Sequence, residues 1–362
     1  MHTRLLKYLI CLECSGPLEV SAFETDDQGT IRSGLLLSSC GQWYPIIHGV
    51  PRMFPRHMFE EYVLIRQHSF LESWSKEIPN NIRDSWTAKL KTHPTKDLKH
   101  KTAESFGFEW KRFNKMFDSY RQNFLNYVQP FTEQSFINKV VLDAGCGVGR
   151  HTYWAAKFGA QDVIGLDLSD AVEPAEKNCR SLENAHIVQG DIYNMPFQKP
   201  FDFSMSIGVL HHLPEPEKGF QSILSHTKSG GVALIWVYGR QHNDAAVYIY
   251  EPIRKVTRHI PKRWLVPLCY PFAGMVEGLN LVANGLERTP GMKNIGRRIP
   301  FQYYRQFPFE VKLNDAFDVL ATPKSRYYPI DAIRGWFERA QLTDPKLEFL
   351  RKKSIIAYAR LS

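Results

Sequence analysis

Residues 139–150 read KVVLDAGCGVGR, and the interpretation of the whole chain turns on them. The first half, KVVLD, is a short apolar run of the kind a buried strand needs. Glycines follow at 145, 147 and 149, and residues 151–159 (HTYWAAKFG) read as a helix ending on glycine. Strand, glycine turn and helix together open a nucleotide-binding βαβ unit. Glycine lets the backbone approach a ligand with no Cβ in the way, and the helix start offers free N–H groups.

Outward from this stretch the pattern repeats. The next strand, DVIGLDLS (162–169), carries Asp167, where a carboxylate can accept from both hydroxyls of a ribose. A third, AHIVQGD (185–191), ends in Asp191. A fourth, FDFSMSIGVLHHL (201–213), runs into a glycine and a histidine pair, and a fifth, GGVALIWVYG (230–239), follows a helix closed by Ser229-Gly230-Gly231. Strands alternating with helical stretches, with site residues at the strands' C-terminal ends, predict an α/β, doubly wound sheet binding its ligand in the crevice there.

Four blocks in order, VLDAGCGVGR, GLDLS, QGDIYNMPF and SIGVLHHLPEPEKG, resemble the class I S-adenosylmethionine-dependent methyltransferases, near the ubiquinone/menaquinone-biosynthesis methyltransferase-like branch. The resemblance runs from Lys139 to Gly239. It implies a seven-stranded Rossmann-like sheet, S-adenosylmethionine as cofactor and S-adenosylhomocysteine as product. Asp167 then holds the ribose, Asp191 and Ile192 address the adenine, Gly145 and Gly147 permit close backbone approach with Cys146 packed between them, and Leu168 belongs to the cofactor set. Ile207 and Gly208 belong to the same cofactor set. Asp143 either orders the loop or accepts from the cofactor's ammonium group. The nearest rival is a dinucleotide oxidoreductase, which wants glycine or alanine where Arg150 stands. His211 and His212 follow the fourth strand, where the acceptor should meet the methyl group. Histidine suits the removal of an acceptor proton, and His212 is the better candidate of the two.

At 362 residues the chain has room for one large α/β domain with additions, and 43% apolar with 23% charged residues is ordinary for a globular protein. The net charge of +9 is uneven: between Glu251 and Arg305 ten cations face three carboxylates. The plain reading is a solvated helical face, and the sharper one is contact with RNA, a phospholipid surface or a phosphorylated substrate. No secretory signal is recognisable, six cysteines do not make a disulfide scaffold in a chain this size, and a reducing cytoplasm is the expected location.

Residues 1–58 are expected as a module of their own. Cys11, Cys14 and Cys40, with CGQWYPIIHGVPRMF (40–54), resemble a zinc ribbon of the tRNA-methyltransferase-activator type. That pattern wants a further cysteine where Leu37 stands, and structural zinc wants four ligands. A degenerate, metal-free ribbon held by Trp43, Tyr44 and Ile46 is therefore expected, and nothing in the spacing of His48 demands that it substitute. Residues 59–138 read as helical, with an exposed loop at 92–101 (THPTKDLKHK) and a stripe at Phe113, Phe117, Tyr120, Phe124 and Tyr127. The words FGFEW (106–110) resemble the cofactor-covering helices of methyltransferases fused to such ribbons, which implies a lid placing Phe106, Gly107, Phe108 and Trp110 near the ligand.

The methyltransferase core is expected over 139–239, an insert over 240–326, and the last helix and closing strands over 327–362. Within the insert, WLVPLCYPFAGMV (264–276) is nearly all apolar but interrupted by two prolines and a glycine, too short and broken to span a bilayer. It reads as a cap over the active site or as an interfacial segment. Tyr303, Tyr304, Asp315 and Asp318 are candidate acceptor-pocket residues. The expected activity is methyl transfer to a small-molecule, glycan or lipid-linked acceptor. RNA methylation is the first alternative, although the N/D-P-P-Y/F block of many base-amino methyltransferases is replaced here by SIGVLHH. A non-catalytic cofactor- or partner-binding descendant is the second.

Overall fold

The computed structural model of this chain describes residues 1–89, 98–198, 201–244, 246–257, 259–322 and 325–361, leaving aside the side chains of 85–89 and 98–101. Residues 140–360 build the expected sheet from β5 (Val140–Ala144), β6 (Asp162–Asp167), β7 (Ala185–Gly190), β8 (Phe201–Ile207), β9 (Thr227–Tyr238), β10 (Lys346–Leu350) and β11 (Ser354–Arg360). Their order is β7-β6-β5-β8-β9-β11-β10, with β11 antiparallel to both neighbours and the strands from β7 to β9 parallel. The order reverses between β5 and β8, which opens the crevice at the carboxyl edge of β5. Strands β5, β6 and β7 are buried almost throughout, as parallel strands covered on both faces must be. Alternate residues divide between two cores: Val140, Leu142 and Ala144 pack on one side of the sheet, Val141 on the other.

Two boundaries moved. The helix before β9 ends at Ser225, so Ser229-Gly230-Gly231 lies within the strand, at a register shift against β8, rather than closing the helix. Residues 98–101, expected in the exposed loop, start the helix Leu98–Arg112, and residues 92–97 lie outside the described residues.

The N-terminal ribbon, β1 (Leu18–Thr25), β2 (Ile31–Ser38), β3 (Trp43–Ile47) and β4 (Val50–Met53), does not stand apart. β4 pairs in parallel with β7, so one eleven-stranded sheet runs through ribbon and core. Asp162, at the start of β6 and with a fully buried side chain, gathers Arg4, Lys7, Tyr8 and His186 around one carboxylate. Arg52, also fully buried, donates to Gln189 of β7 at 2.8 Å. Leu5, Tyr44 and Met53 share one apolar core with Leu142 and Ile164.

The insert leaves the sheet at Gly239 and returns at Tyr328, and these two residues are bridged side by side. A chain that departs and rejoins at one point leaves the strand order intact. The insert's main element is a single helix, Lys262–Arg288, with Pro267 and Pro271 inside it. The expectation that the prolines break this stretch is corrected: at 27 residues it is long and apolar enough to cross a membrane by length and composition. It packs instead on helix Phe309–Ala321 through Leu265, Cys269, Ala273, Leu313 and Phe317, with Phe108 and Phe113 of the lid against the same cluster.

Candidate active site

The glycine turn is built by backbone geometry. Gly145, Gly147 and Gly149 all have positive φ (90°, 53° and 78°), conformations that side chains resist. A Cβ on Gly145 would lie 2.3 Å from Val209 Cγ2, so the turn after β5 presses directly on the turn after β8. The N–H groups of Gly145 and Cys146 donate to Leu166 O at 2.7 and 3.0 Å, which fixes the turn against β6.

Asp167 holds this arrangement from below. One of its oxygens accepts from Gly147 N at 2.9 Å, and the other accepts from Ser169 N and Oγ at 2.8 and 2.7 Å. Three of a carboxylate's roughly four acceptor positions are thus occupied, leaving about one for a ribose hydroxyl. Burial raises its pKa, against those three bonds. Asp191 accepts from Tyr193 N and Asn194 Nδ2, so the end of β7 is shaped by its own side chain.

One cavity of about 840 Å³ runs from these strand ends into the insert. Enclosed ligand sites commonly span roughly 300–1,000 Å³, so there is space here for a nucleoside-sized cofactor and an acceptor together. At the cofactor end it is lined by Gly145, Cys146, Gly147, Asp167, Leu168, Asp191, Ile192, Ile207 and Gly208. Asp143 is the one expected cofactor residue that does not reach it. It is fully buried under the turn, accepts from Thr152 Oγ1 at 2.7 Å, and burial lifts its pKa to about 7. Of its two expected roles, ordering the loop is the one this geometry supports.

The two histidines separate. His212 lines the cavity, its ring 5.0 Å from Phe106 and its Nδ1 3.5 Å from Ser325 Oγ. His211 does not. It is wholly buried, 4.0 Å from the Tyr238 ring with Trp236 beyond, and burial pushes its pKa well down. A neutral ring sealed behind the cavity wall cannot exchange a proton with an acceptor, so the catalytic expectation for His211 is corrected.

The other end of the cavity is walled by the insert and by helix Leu98–Arg112, the expected lid. One face of helix Phe309–Ala321 supplies Val311, Asn314, Asp315, Asp318 and Val319, spaced three and four residues apart. Tyr303 and Tyr304 enter from the preceding turn, so all four acceptor-pocket candidates line the cavity. Tyr304 hydrogen-bonds Asp315, whose pKa burial lifts to about 6 with Asp318 adding to the rise. From the lid, Phe106 and Trp110 line the cavity, whereas Gly107 packs near Asp170 and Phe108 turns to Phe317.

Two residues escaped the sequence reading. Glu109, 2% exposed, faces the cavity with its pKa pushed well up, chiefly by burial and then by Asp318 and Asp315. The signal was a lone acid inside an aromatic word, FGFEW. Arg150 was read only as a departure from the dinucleotide pattern. It stands between the Trp110 and Tyr120 rings, 4.7 and 4.8 Å away, and ties the lid to the first turn of the helix after the glycines.

In the ribbon the thiols of Cys11, Cys14 and Cys40 lie within 4.8 Å of one another. Burial alone would raise the Cys11 thiol, but donors from Ser38, the Cys14 backbone and Tyr44 outweigh it and bring it down to about 7. Structural zinc wants four protein ligands. His48 is not in the cluster, and no fourth cysteine, histidine or carboxylate joins it among the described residues. The donor set is incomplete for such a site.

The cofactor end fits S-adenosylmethionine: a glycine turn for close backbone approach, a carboxylate at the end of β6, and the apolar side chains of Leu168, Ile192 and Ile207 line one cavity. Residues 141–231 match the family model described as a methyltransferase domain. The chain is 31% identical over 218 residues to an uncharacterized protein of Synechococcus sp., covering 56% of this chain and 47% of that one. It is 34% identical over 136 residues to a tRNA U34 carboxymethyltransferase of Pseudoalteromonas translucida, covering 36% of this chain and 40% of that one. The matches thus span less than half the length of these relatives. Human N-acetylserotonin methyltransferase in complex with its cofactor superposes with a TM-score of 0.44 at 14% identity, over 84% of this chain and 69% of that one. The family match lies across the glycine turn and both strand-end aspartates, so residues 141–231 are similar to a methyltransferase domain.

Proposed function

We propose that the protein transfers a methyl group from S-adenosylmethionine to a small-molecule, glycan or lipid-linked acceptor entering the cavity from the insert side. The observation that carries this reading is the continuity of one cavity from the glycine turn to a wall of titratable side chains. The bound donor supplies a methyl group already activated by its positive sulfur. Catalysis then asks the chain mainly to position a nucleophile in line and to manage one proton. His212 is the proposed acceptor of that proton. Asp315, hydrogen-bonded to Tyr304, and Glu109, whose pKa burial raises well above the ordinary carboxylate value, hold the acceptor's polar groups opposite. The lid residues Phe106 and Trp110 exclude water from the reacting end.

Titration with S-adenosylhomocysteine, followed by turnover of a labelled methyl group, tests the reading. Asp167→Ala is expected to weaken calorimetric affinity for S-adenosylhomocysteine by about 1–3 kcal/mol through lost hydrogen bonds; an unchanged affinity contradicts its assignment. His212→Ala should lower turnover by roughly 10²–10⁴-fold while cofactor affinity changes little. If affinity falls and turnover per bound cofactor does not, His212 shapes the cofactor site and is no base.

RNA methylation is the competing reading, favoured by the names of relatives such as the tRNA U34 carboxymethyltransferase. Binding to RNA that weakens steeply with salt supports it. A chain that binds cofactor and turns over no methyl group on any acceptor class is the non-catalytic descendant.

A further inference from the structure

Helix Lys262–Arg288 is apolar on both sides. Its inner face packs on the protein through Leu265, Cys269, Ala273, Val276 and Ala283. Its outer face carries Trp264, Leu268, Pro271, Met275 and Val282, at i, i+4, i+7, i+11 and i+18, which is one stripe of an α-helix. Trp264 is 61% exposed, Leu268 57% and Val282 55%. Of the sixteen large hydrophobic side chains exposed among the described residues, thirteen fall between Tyr248 and Ile295, and seven of those lie on this helix, so the apolar surface is concentrated on the insert. Between Trp264 and Gly285 the sole charged residue is Glu277, which is tied to Lys312.

The ends of the stripe are cationic. Arg263 stands at one end; Arg288, Lys293, Arg297 and Arg298 stand at and beyond the other, all exposed and none ion-paired among the described residues. The acid nearest that second group, Glu287, is held by Arg305. A long apolar stripe with cations at its margins and tryptophan at one end is the pattern of a helix lying in the headgroup region of an anionic bilayer. A second copy of the chain fits worse. Both ends of the helix are positive, so pairing two copies along it, in either direction, sets cations beside cations. Spanning is excluded by the inner face, which is packed on protein and buries Asn280.

The stripe also meets the cavity. Phe272, 38% exposed on the rim of the same helix, lines the cavity beside Phe301, the two rings 5.9 Å apart edge to face. We propose that helix Lys262–Arg288 docks the protein on an anionic lipid surface, with the acceptor end of the cavity opening at that surface. The membrane is then the source of the acceptor, a lipid-linked molecule whose polar head enters the cavity; this last clause rests on the methyl-transfer reading above.

Flotation of the full chain with vesicles tests the docking. Binding to phosphatidylcholine vesicles containing phosphatidylglycerol is expected, weakening in high salt and in pure phosphatidylcholine. Leu268→Glu/Val282→Glu, two exposed positions outside the cavity, should lower partitioning by more than about tenfold. Arg297→Ser/Arg298→Ser should abolish the preference for anionic lipid. Three results overturn the proposal: no flotation with any vesicle, flotation unchanged in the glutamate variant, or a dimer by sedimentation that the glutamate variant dissociates. Titration with S-adenosylhomocysteine in parallel separates the two readings. Cofactor affinity without vesicle binding sinks the docking alone, and vesicle binding without cofactor affinity sinks the methyl-transfer reading alone. Labelled methyl groups are expected in the organic extract of membranes incubated with the protein; label confined to the aqueous phase overturns the lipid-linked acceptor.

Discussion

Gly145→Ala is expected to abolish useful cofactor binding while leaving the fold intact. The glycine has φ 90°, and an added Cβ would meet Val209 at 2.3, 2.7 and 3.0 Å. Strain of a side chain in that backbone region costs about 1–3 kcal/mol, and overpacking adds a similar amount. Relief would have to come from Val209, which lies between Gly208 and the turn that carries His212. One methyl group therefore disturbs both the glycine turn and the far wall of the cofactor site. Calorimetry with S-adenosylhomocysteine should register a loss of at least about thirtyfold at a conservative 2 kcal/mol, with the circular dichroism spectrum retained. Gly230→Ala is the control: φ is 75° there too, but nothing lies within 4 Å of the added Cβ. If Gly145→Ala binds like Gly230→Ala, the turn does not press on the cofactor and the site has been misread.

Asp162→Ala should destabilise the whole chain by about 3–5 kcal/mol, the cost of removing one partner from a buried charged cluster. Its carboxylate is fully buried and accepts from Arg4, Lys7, Tyr8 and His186. Arg4 and Lys7 are about half exposed (45% and 47%), so water screens their share. The Tyr8 hydroxyl and the His186 ring, which burial keeps neutral, make up the deeper part. Losing the acceptor leaves both as buried donors without a partner, at the junction of ribbon and core. Equilibrium unfolding in urea checks the size, and a loss below about 1 kcal/mol would reduce Asp162 to a surface ion-pair site.

The same residue gives a pH signature. The donors around Asp162 hold its pKa far below the ordinary carboxylate value, even against burial. A carboxylate with a depressed folded pKa contributes stability in full above its unfolded pKa of about 3.9 and loses it as pH falls below that value. Wild-type stability should therefore fall on acidification below about pH 4 by more than the variant's does. Parallel acid limbs for the two proteins would contradict the assignment.

Much of the core was readable residue by residue. Apolar runs of strand length, glycines at every second position and aspartates at three strand ends are local features, and nine of the ten cofactor residues that the resemblance built on them implied line the cavity. The exception, Asp143, shows the limit of such reading. A carboxylate ending a strand looks the same whether it faces a ligand or supports the turn beneath it. Neighbouring His211 and His212 differ for a like reason: their rings lie 4.1 Å apart, yet only His212 lines the cavity, because Tyr238 and Trp236 from another strand pack on His211. The prolines at 267 and 271 misled in the other direction. Read locally they break a helix, yet here the helix continues through them, and the packing of Leu265, Cys269 and Ala273 on Leu313 and Phe317 accompanies it.

The sequence alone determined the α/β core, the order of its motifs and the cofactor end of the site, because hydrophobic period and glycine spacing act over a few residues and leave their mark in the chain. Tertiary structure decided what depends on residues far apart in sequence. It joined the ribbon to the sheet through β4 and β7, set Glu109 against Asp315 and Asp318, and turned one apolar face of Lys262–Arg288 outward. Burial and the approach of distant charges set those environments, and both arise only once the chain has folded back on itself.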